Sequence, residues 1–592
     1  MSQIPKDTIR KRLGDFREKM AELAFDAVIV RSTDEYLNEY IPLEENDRYY
    51  LSGFSGSTGD LLISDREAYL FVDGRYHTQA EKECDGELIS VVKVALNDTV
   101  FSRLCETLIE LAREHSDGFK VSVDGRKISY DQYLSLEDYL TDNDALLSDW
   151  DIEELSPGIH GSEKKLGQSI ELIPLSITGR SVEDKLMTVQ KMLYSKNCEH
   201  NLISTLDDVA YICNFRSYDI AYNSTVKGFL LLGRVEGHLF LSLDEIPDWL
   251  RDAFNGILHV HLEKEWGDVA QSIIDGHKDK EISIGLSPSK TTYRRAVGLK
   301  GLLGESSRLI EMSYPESNWK HIKSPEELNH MAECFKRSDR VVKMSMDWLN
   351  ERVDAGDSVS ERDLSEKVKE LFLAHKAKGL SFEVIAASGE NSAIVHYTNP
   401  DPDKKIECGE LVLLDTGAYY EGGYATDLTR TFLAGGDSLK ATAKQKEIYT
   451  YVLKAAIRLL RARFPRGTSG SHLDTMARSV LWDFAHVYNH GTGHGVGISV
   501  HESPPKISGI SFDRIEEGMV FSVEPGIYIE GYGGVRIENL VTVVADSEYD
   551  SWLRIEPLTF CPLDKRLIDV TYLDSTEREW LRDYQKKYAG SS

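Results

Sequence analysis

Residues 411–432 read LVLLDTGAYYEGGYATDLTRTF. An apolar run ends at Asp415, Gly422 and Gly423 mark a turn, and a second run sets out from Asp427. This is the pattern of a β-hairpin, which brings the two aspartates near each other. Three later stretches also set polar residues among apolar residues and glycines. HGTGHGVGISVHE at 490–502 carries His490, His494 and His501, VEPGIY at 523–528 carries Glu524 and Tyr528, and VRIEN at 535–539 carries Arg536 and Glu538. Singly each has a bland reading. An aspartate at a strand end is usually a turn or cap residue, and Glu538 could pair with Arg536. A glycine run can cradle phosphate, but this one lacks the lysine and the capped helix such a loop needs. Jointly, Asp415, Asp427, His494, Glu524 and Glu538 gather four carboxylates and one imidazole in β-rich sequence, a costly burial without cations. Two divalent ions balance that charge. The oxygen-rich donor set suits Mn²⁺, and Zn²⁺ or Co²⁺ also fit. Two such ions about 3.5–4 Å apart hold a hydroxide at neutral pH, an arrangement for hydrolysis.

The 592 residues exceed what one core organises, so three or four domains are expected. A hydrophobic share of 41% and a charged share of 28% fit a globular chain and neither a disordered nor a fibrous one. The net charge of −29 opposes nonspecific binding to nucleic acid or anionic membrane. The N-terminus is amphipathic without an apolar signal core, and no run reaches the ~18 apolar residues of a membrane span. Seven scattered cysteines without CxxC spacing point to a reducing cytoplasm.

The first 165 residues alternate helical and strand-like segments, an α/β pattern. YLSGF at 50–54 resembles YICNF at 211–215, and the pairs Leu61/Leu62 and Leu70-Phe71 are echoed, at the same gap, by Leu230/Leu231 and Leu239-Phe240. A duplicated fold is expected, with a polar joint in SPGIHGSEKKLGQS and a second domain at 166–317. A third, at 318–592, opens at Ser324-Pro325-Glu326-Glu327, a capped helix start. Further helices start at Ser360 and run from about Thr442 to Phe464. With the strand-like segments around the five residues they make an α+β domain.

Those five residues with their flanks resemble the pita-bread metallopeptidases, which include methionine aminopeptidase, prolidase and aminopeptidase P. The likeness extends to LSGFSGSTG and FVDGRYHTQAE in the first domain, ITGRSVEDKL in the second and LRIEPLTFCPLDKRLID at the end. It implies two creatinase-N-like domains before a pita-bread catalytic domain, as in the long cytosolic Xaa-Pro aminopeptidases. By the same resemblance, Asp415 binds one ion, His494 and Glu524 bind the other, and Asp427 and Glu538 bridge them. Glu524 also shuttles a proton. His396 in VHYTNP, His490 and His501 position substrate and handle protons, with Tyr528 and Arg536 beside them. The implied reaction is attack by the bridging hydroxide on the first peptide carbonyl, releasing the N-terminal residue before proline. A homodimer is implied too. The rivals are a prolidase limited to Xaa-Pro dipeptides, a metal-free hydrolase of the creatinase kind, and a non-catalytic peptide-binding protein of the same fold. One departure stands out. The family's two aspartates are usually eleven apart, and here the step from 415 to 427 is twelve. The turn YYEGGY must absorb the extra residue, because a slip of one would send Asp427 to the other face.

Overall fold

The structure, a computed structural model, describes residues 4–96, 98–115, 118–151, 167, 169–277, 281–304, 307–312 and 319–591. These group into two compact units. One spans Met1–Leu175, Arg180–Ala221 and Thr225–Pro315; the other spans Ser176–Gly179, Tyr222–Ser224 and Glu316–Ser592. The boundaries expected at 165/166 and 317/318 fall outside the described residues, as does most of the polar joint.

In the first unit, helix α1 (Lys6–Glu22) buries Ile9, Leu13, Phe16 and Met20, which recur at helical spacing. A six-stranded mixed sheet follows: β1 (Ala27–Val30), β2 (Asp60–Ser64), β3 (Ala68–Val72), β4 (Ser90–Lys93), β5 (Phe119–Val123) and β6 (Ala145–Asp149), in the order β4-β3-β2-β1-β5-β6. Both faces are covered: Val28, Val30 and Leu61 pack to one side, Ala27, Ile29 and Leu62 to the other. Such double burial explains the near-continuous apolar runs.

The second half repeats the plan with β7 (His200–Ile203), β8 (Gly228–Gly233), β9 (Gly237–Leu241), β10 (His259–Leu262), β11 (Ser283–Leu286) and β12 (Arg308–Glu311), ordered β10-β9-β8-β7-β11-β12. Even the register repeats, since Leu61 faces Leu70 and Leu230 faces Leu239. The matched YLSGF and YICNF are not strands. They close the helices α2 (Asp47–Ser52) and α3 (Leu206–Cys213). Gly53 (φ 76°) and Asn214 (φ 49°) are the corresponding left-handed caps, a conformation these two residue types tolerate.

The second unit opens with α4 (Pro325–Asp354), capped as expected. Glu327 N donates to Ser324 Oγ at 3.1 Å, and Ser324 N donates to the Glu327 carboxylate at 2.7 Å. Together with α5 (Glu361–Ala374) it packs on an antiparallel three-stranded sheet, β13 (Ile385–Ser388), β14 (Leu411–Thr416) and β15 (Leu428–Leu433). A second helix pair, α6 (Ala443–Leu460) and α7 (Gly470–Trp482), packs on a larger antiparallel sheet. Its strands are β16 (Arg463–Pro465), β17 (Gly493–Gly495), β18 (Glu502–Ile507) and β19 (Val520–Val523). After the separate hairpin of β20 (Gly526–Ile529) and β21 (Gly533–Arg536) come β22 (Asn539–Ala545) and β23 (Trp552–Pro557), giving the sheet order β16-β23-β22-β19-β17-β18. Helix α6 therefore stops at Leu460, short of the expected Phe464. The residues beyond pair with β23 as an edge strand, where Pro465 costs no ladder bond that a central strand would need.

The terminal helix α8 (Ser575–Ser591) is tied to the two inner sheets by a buried arginine. Arg430, on β15, donates to Glu538 O (2.5 Å), Thr429 O (2.8 Å), Cys561 O (2.8 Å) and Tyr584 Oη (2.9 Å). Tyr584 Oη in turn accepts from Asn539 Nδ2 at 3.0 Å and donates to Cys561 O at 2.9 Å. Tyr584→Phe removes the hydroxyl from this buried network and is expected to lower stability by roughly 1–3 kcal/mol. Calorimetric unfolding reads the loss, and an unshifted transition would show that the network does not anchor α8.

Candidate metal centre

The hairpin that opened the sequence reading forms without a slip. Asp415 faces Thr429, Thr416 faces Leu428, and the same register continues to a bridge between Tyr419 and Ala425. It sets Asp427 opposite Gly417, two residues from Asp415, so both carboxylates project from one face. At the tip of the hairpin Gly422 (φ 86°) and Gly423 (φ 64°) take left-handed conformations. Gly417 admits no side chain, since a Cβ there would lie 1.8 Å from Thr426 O.

The remaining three come from the larger sheet and its flank. The glycine run around His494 is not a loop but strand β17, wedged between β18 and β19. A Cβ at Gly493 would meet Ser522 O at 1.9 Å, and one at Gly495 would meet Glu502 O at 2.4 Å, so the glycines permit close strand approach. Glu524 follows the end of β19. Glu538 is not inside a strand, as the sequence suggested, but in the break between β21 and β22.

Asp427, His494 and Glu538 present ligand atoms within 4.8 Å of one another. His494 Nε2 lies 3.5 Å from Asp427 Oδ2 and 3.4 Å from Glu524 Oε1. Its Nδ1 donates to Gly495 O at 3.1 Å, which leaves the Nε2 lone pair facing the carboxylates, the tautomer a ligand needs. Asp415 is gripped by Arg536, whose Nη2 donates to Oδ2 at 2.5 Å, so Arg536 does not serve the bland alternative of a pair with Glu538. Glu538 Oε2 instead accepts from Thr429 Oγ1 at 2.7 Å.

Asp415 Oδ1 and Glu538 Oε1 are buried and meet no hydrogen-bond partner. Burial, reinforced by the neighbouring carboxylates, pushes Asp427 and Glu538 far above the usual carboxylate range. Burial likewise raises Glu524 to about 7. Orphaned oxygens, four crowded carboxylates and a correctly oriented imidazole fit a pair of divalent cations held by oxygen and one nitrogen.

Around this cluster runs a polar chain. Arg536 Nη1 donates to Tyr528 Oη at 2.8 Å, and Tyr528 Oη contacts His490 Nε2 at 2.9 Å. His490 Nδ1 lies 2.6 Å from Gly491 O and so carries a proton, which makes Tyr528 the donor to Nε2. His501 packs edge-on against His494, ring centres 4.3 Å apart. His396 is half-buried beside Val395, whose carbonyl accepts from Arg536 at 3.3 Å. Two further residues escaped the sequence reading. Thr429 touches both Glu538 and Arg536, and Ser522 Oγ accepts from His494 N at 3.0 Å and donates to Glu524 at 3.2 Å. Each sits two positions from a candidate ligand, so strand alternation could have flagged them.

Comparisons with known proteins agree with this architecture. Residues 329–545 match the model of metallopeptidase family M24, and 551–588 match the C-terminal region of the same peptidases. Residues 12–153 and 163–327 each match the creatinase/prolidase N-terminal domain. A protein of Ajellomyces capsulatus named probable Xaa-Pro aminopeptidase P is 31% identical over 98% of this chain and 95% of its own. The crystal structure of X-prolyl aminopeptidase from Caenorhabditis elegans, described as a cytosolic enzyme with a di-nuclear active site, superposes with a TM-score of 0.89 at 27% identity, covering 99% of this chain and 96% of that one. A Xaa-Pro dipeptidase from Bacillus anthracis covers 65% of this chain and 99% of its own, with a TM-score of 0.53 at 25% identity. The chain belongs to metallopeptidase family M24, with two matches to the creatinase/prolidase N-terminal domain ahead of the peptidase domain.

In the metal-free protein, Glu524 at about 7 binds more protons folded than at its ordinary 4.5. Stability from that proton is present below about pH 4.5 and is lost as pH rises through 7. Divalent ions displace the proton, so the rise in unfolding temperature they cause should widen steadily from pH 5.5 to 8. Differential scanning calorimetry with chelator or Mn²⁺ measures it, and a pH-independent rise would contradict these protonation states.

Proposed function

We propose that the chain is a two-metal Xaa-Pro aminopeptidase, releasing the N-terminal residue from peptides with proline second. The reading rests on the convergence of Asp427, His494 and Glu538, in a chain similar over nearly its full length to proteins of that name. Asp415, Asp427, His494, Glu524 and Glu538 hold the two ions, and Mn²⁺ suits a donor set of carboxylates with one imidazole. When bound, the ions polarise the scissile carbonyl and lower the pKa of water.

The protein's own groups do the rest. Glu524, whose Oε1 lies 3.4 Å from His494 Nε2, takes the proton of the attacking water and returns it. Arg536 fixes Asp415, and Tyr528 carries that order on to His490. His396, His490 and His501 hold the substrate carbonyls and supply a proton to the departing nitrogen. Proline's nitrogen has no N–H and its φ is fixed, so the enzyme reads shape at that position rather than a donor. The three-domain division at 165/166 and 317/318, a homodimer and a cytoplasmic location complete the proposal. Among the described residues no helix is long and apolar enough to cross a membrane.

Purified protein loaded with Mn²⁺ is expected to release the first residue of Xaa-Pro-Xaa. Asp427→Asn should keep less than about one-hundredth of kcat/KM, since even residues that merely support a ligand are worth 10–100-fold. Cleavage of Xaa-Pro but not Xaa-Pro-Xaa would make it a prolidase. A folded, metal-loaded protein that cleaves neither would be a binding protein.

A further inference from the structure

A second cluster of imidazoles lies in the first unit, on the repeated sheet. His259 and His261 are two apart on the edge strand β10 and so share one face. His238, on the adjacent β9, stands directly opposite His259 and therefore projects from the same face. His238 Nδ1 lies 3.2 Å from His261 Nε2. The ring of His238 is centred 5.2 Å from that of His259 and 5.3 Å from that of His261, and the last two rings are 6.4 Å apart.

These separations have a chemical meaning. Imidazole nitrogens bind zinc at about 2.0–2.1 Å, so two of them on a tetrahedral ion lie roughly 3.3 Å apart. Their ring centres, set back by about 1.15 Å, then lie roughly 5.2 Å apart. The His238–His261 pair matches both values, while the ring nitrogens of His259 do not yet approach those of both partners within 4.8 Å. Only His259 must move inward, and its side chain is 61% exposed. The bland account of the cluster is a hydrogen bond between His238 and His261. It leaves the other ring nitrogen of His238 buried without a hydrogen-bond partner. A cleft of about 510 Å³ opens beside His259 and His261, with Glu236, Arg251 and Glu265 on its wall, which leaves room for water at the fourth position.

We propose that His238, His259 and His261 form a second metal site, distinct from the peptidase centre, for a borderline divalent ion such as Zn²⁺, Ni²⁺ or Cu²⁺. Imidazole nitrogen favours these over Mg²⁺, Ca²⁺ or Mn²⁺, which prefer oxygen. The ion would join β10 to β9 at the sheet edge through side chains, adding to the backbone ladder between them.

The test is metal content after dialysis against buffered Zn²⁺, with peptidase activity measured on the same samples. Wild-type protein should hold one more ion per chain than His238→Asn/His261→Asn, and the two should have equal activity. The single variant His259→Asn, at an exposed position with little bearing on folding, should weaken Zn²⁺ binding at that site at least tenfold by calorimetric titration. Equal metal content in wild type and double variant would overturn the site. So would an unchanged affinity in His259→Asn, or loss of the ion only in parallel with loss of activity, which would trace it to the peptidase centre.

Discussion

The contact between Arg536 and Asp415 is the fixed point of the catalytic unit. Burial, reinforced by repulsion among four crowded carboxylates, pushes the pKa values of Asp427, Glu524 and Glu538 upward. Asp415 is the one held by a guanidinium, through a bond of 2.5 Å. The same arginine bonds Thr429 and Tyr528, and Thr429 reaches Glu538. One cation therefore orients a ligand on β14, another in the break between β21 and β22, and a histidine beyond them. Lysine could neutralise Asp415 but could not span these partners, because its donors radiate from a single atom. Arg430 performs the matching task on the backbone side, tying Glu538 and Thr429 to the terminal helix.

Much of this was readable in the sequence, for identifiable reasons. Residue types that are costly to bury mark themselves when they occur in apolar strands, and that sufficed for Asp415, Asp427, His494, Glu524 and Glu538. Helix starts were readable because caps are local: Ser324 and Ser360 bond within three residues of themselves. The duplication was readable because it preserved both the spacing of leucines and a residue able to adopt a left-handed cap.

What failed to show was tertiary in origin. Residues 463–465 continue a helical pattern but are captured by the edge of a sheet whose partner strand lies some ninety residues later. Arg536 looked like a neighbour for Glu538. Its actual partner, Asp415, is 121 positions away, and only the docking of two sheets brings them together.

That docking fixes when the site can come into being. Asp415 and Asp427 belong to a hairpin that emerges early and closes over a short span of chain, whereas His494, Glu524 and Glu538 belong to strands synthesised tens of residues later. An ion held by Asp427, His494 and Glu538 would therefore tie the hairpin to segments far along the chain, so that each ligand set is also a cross-link between separately built parts of the fold.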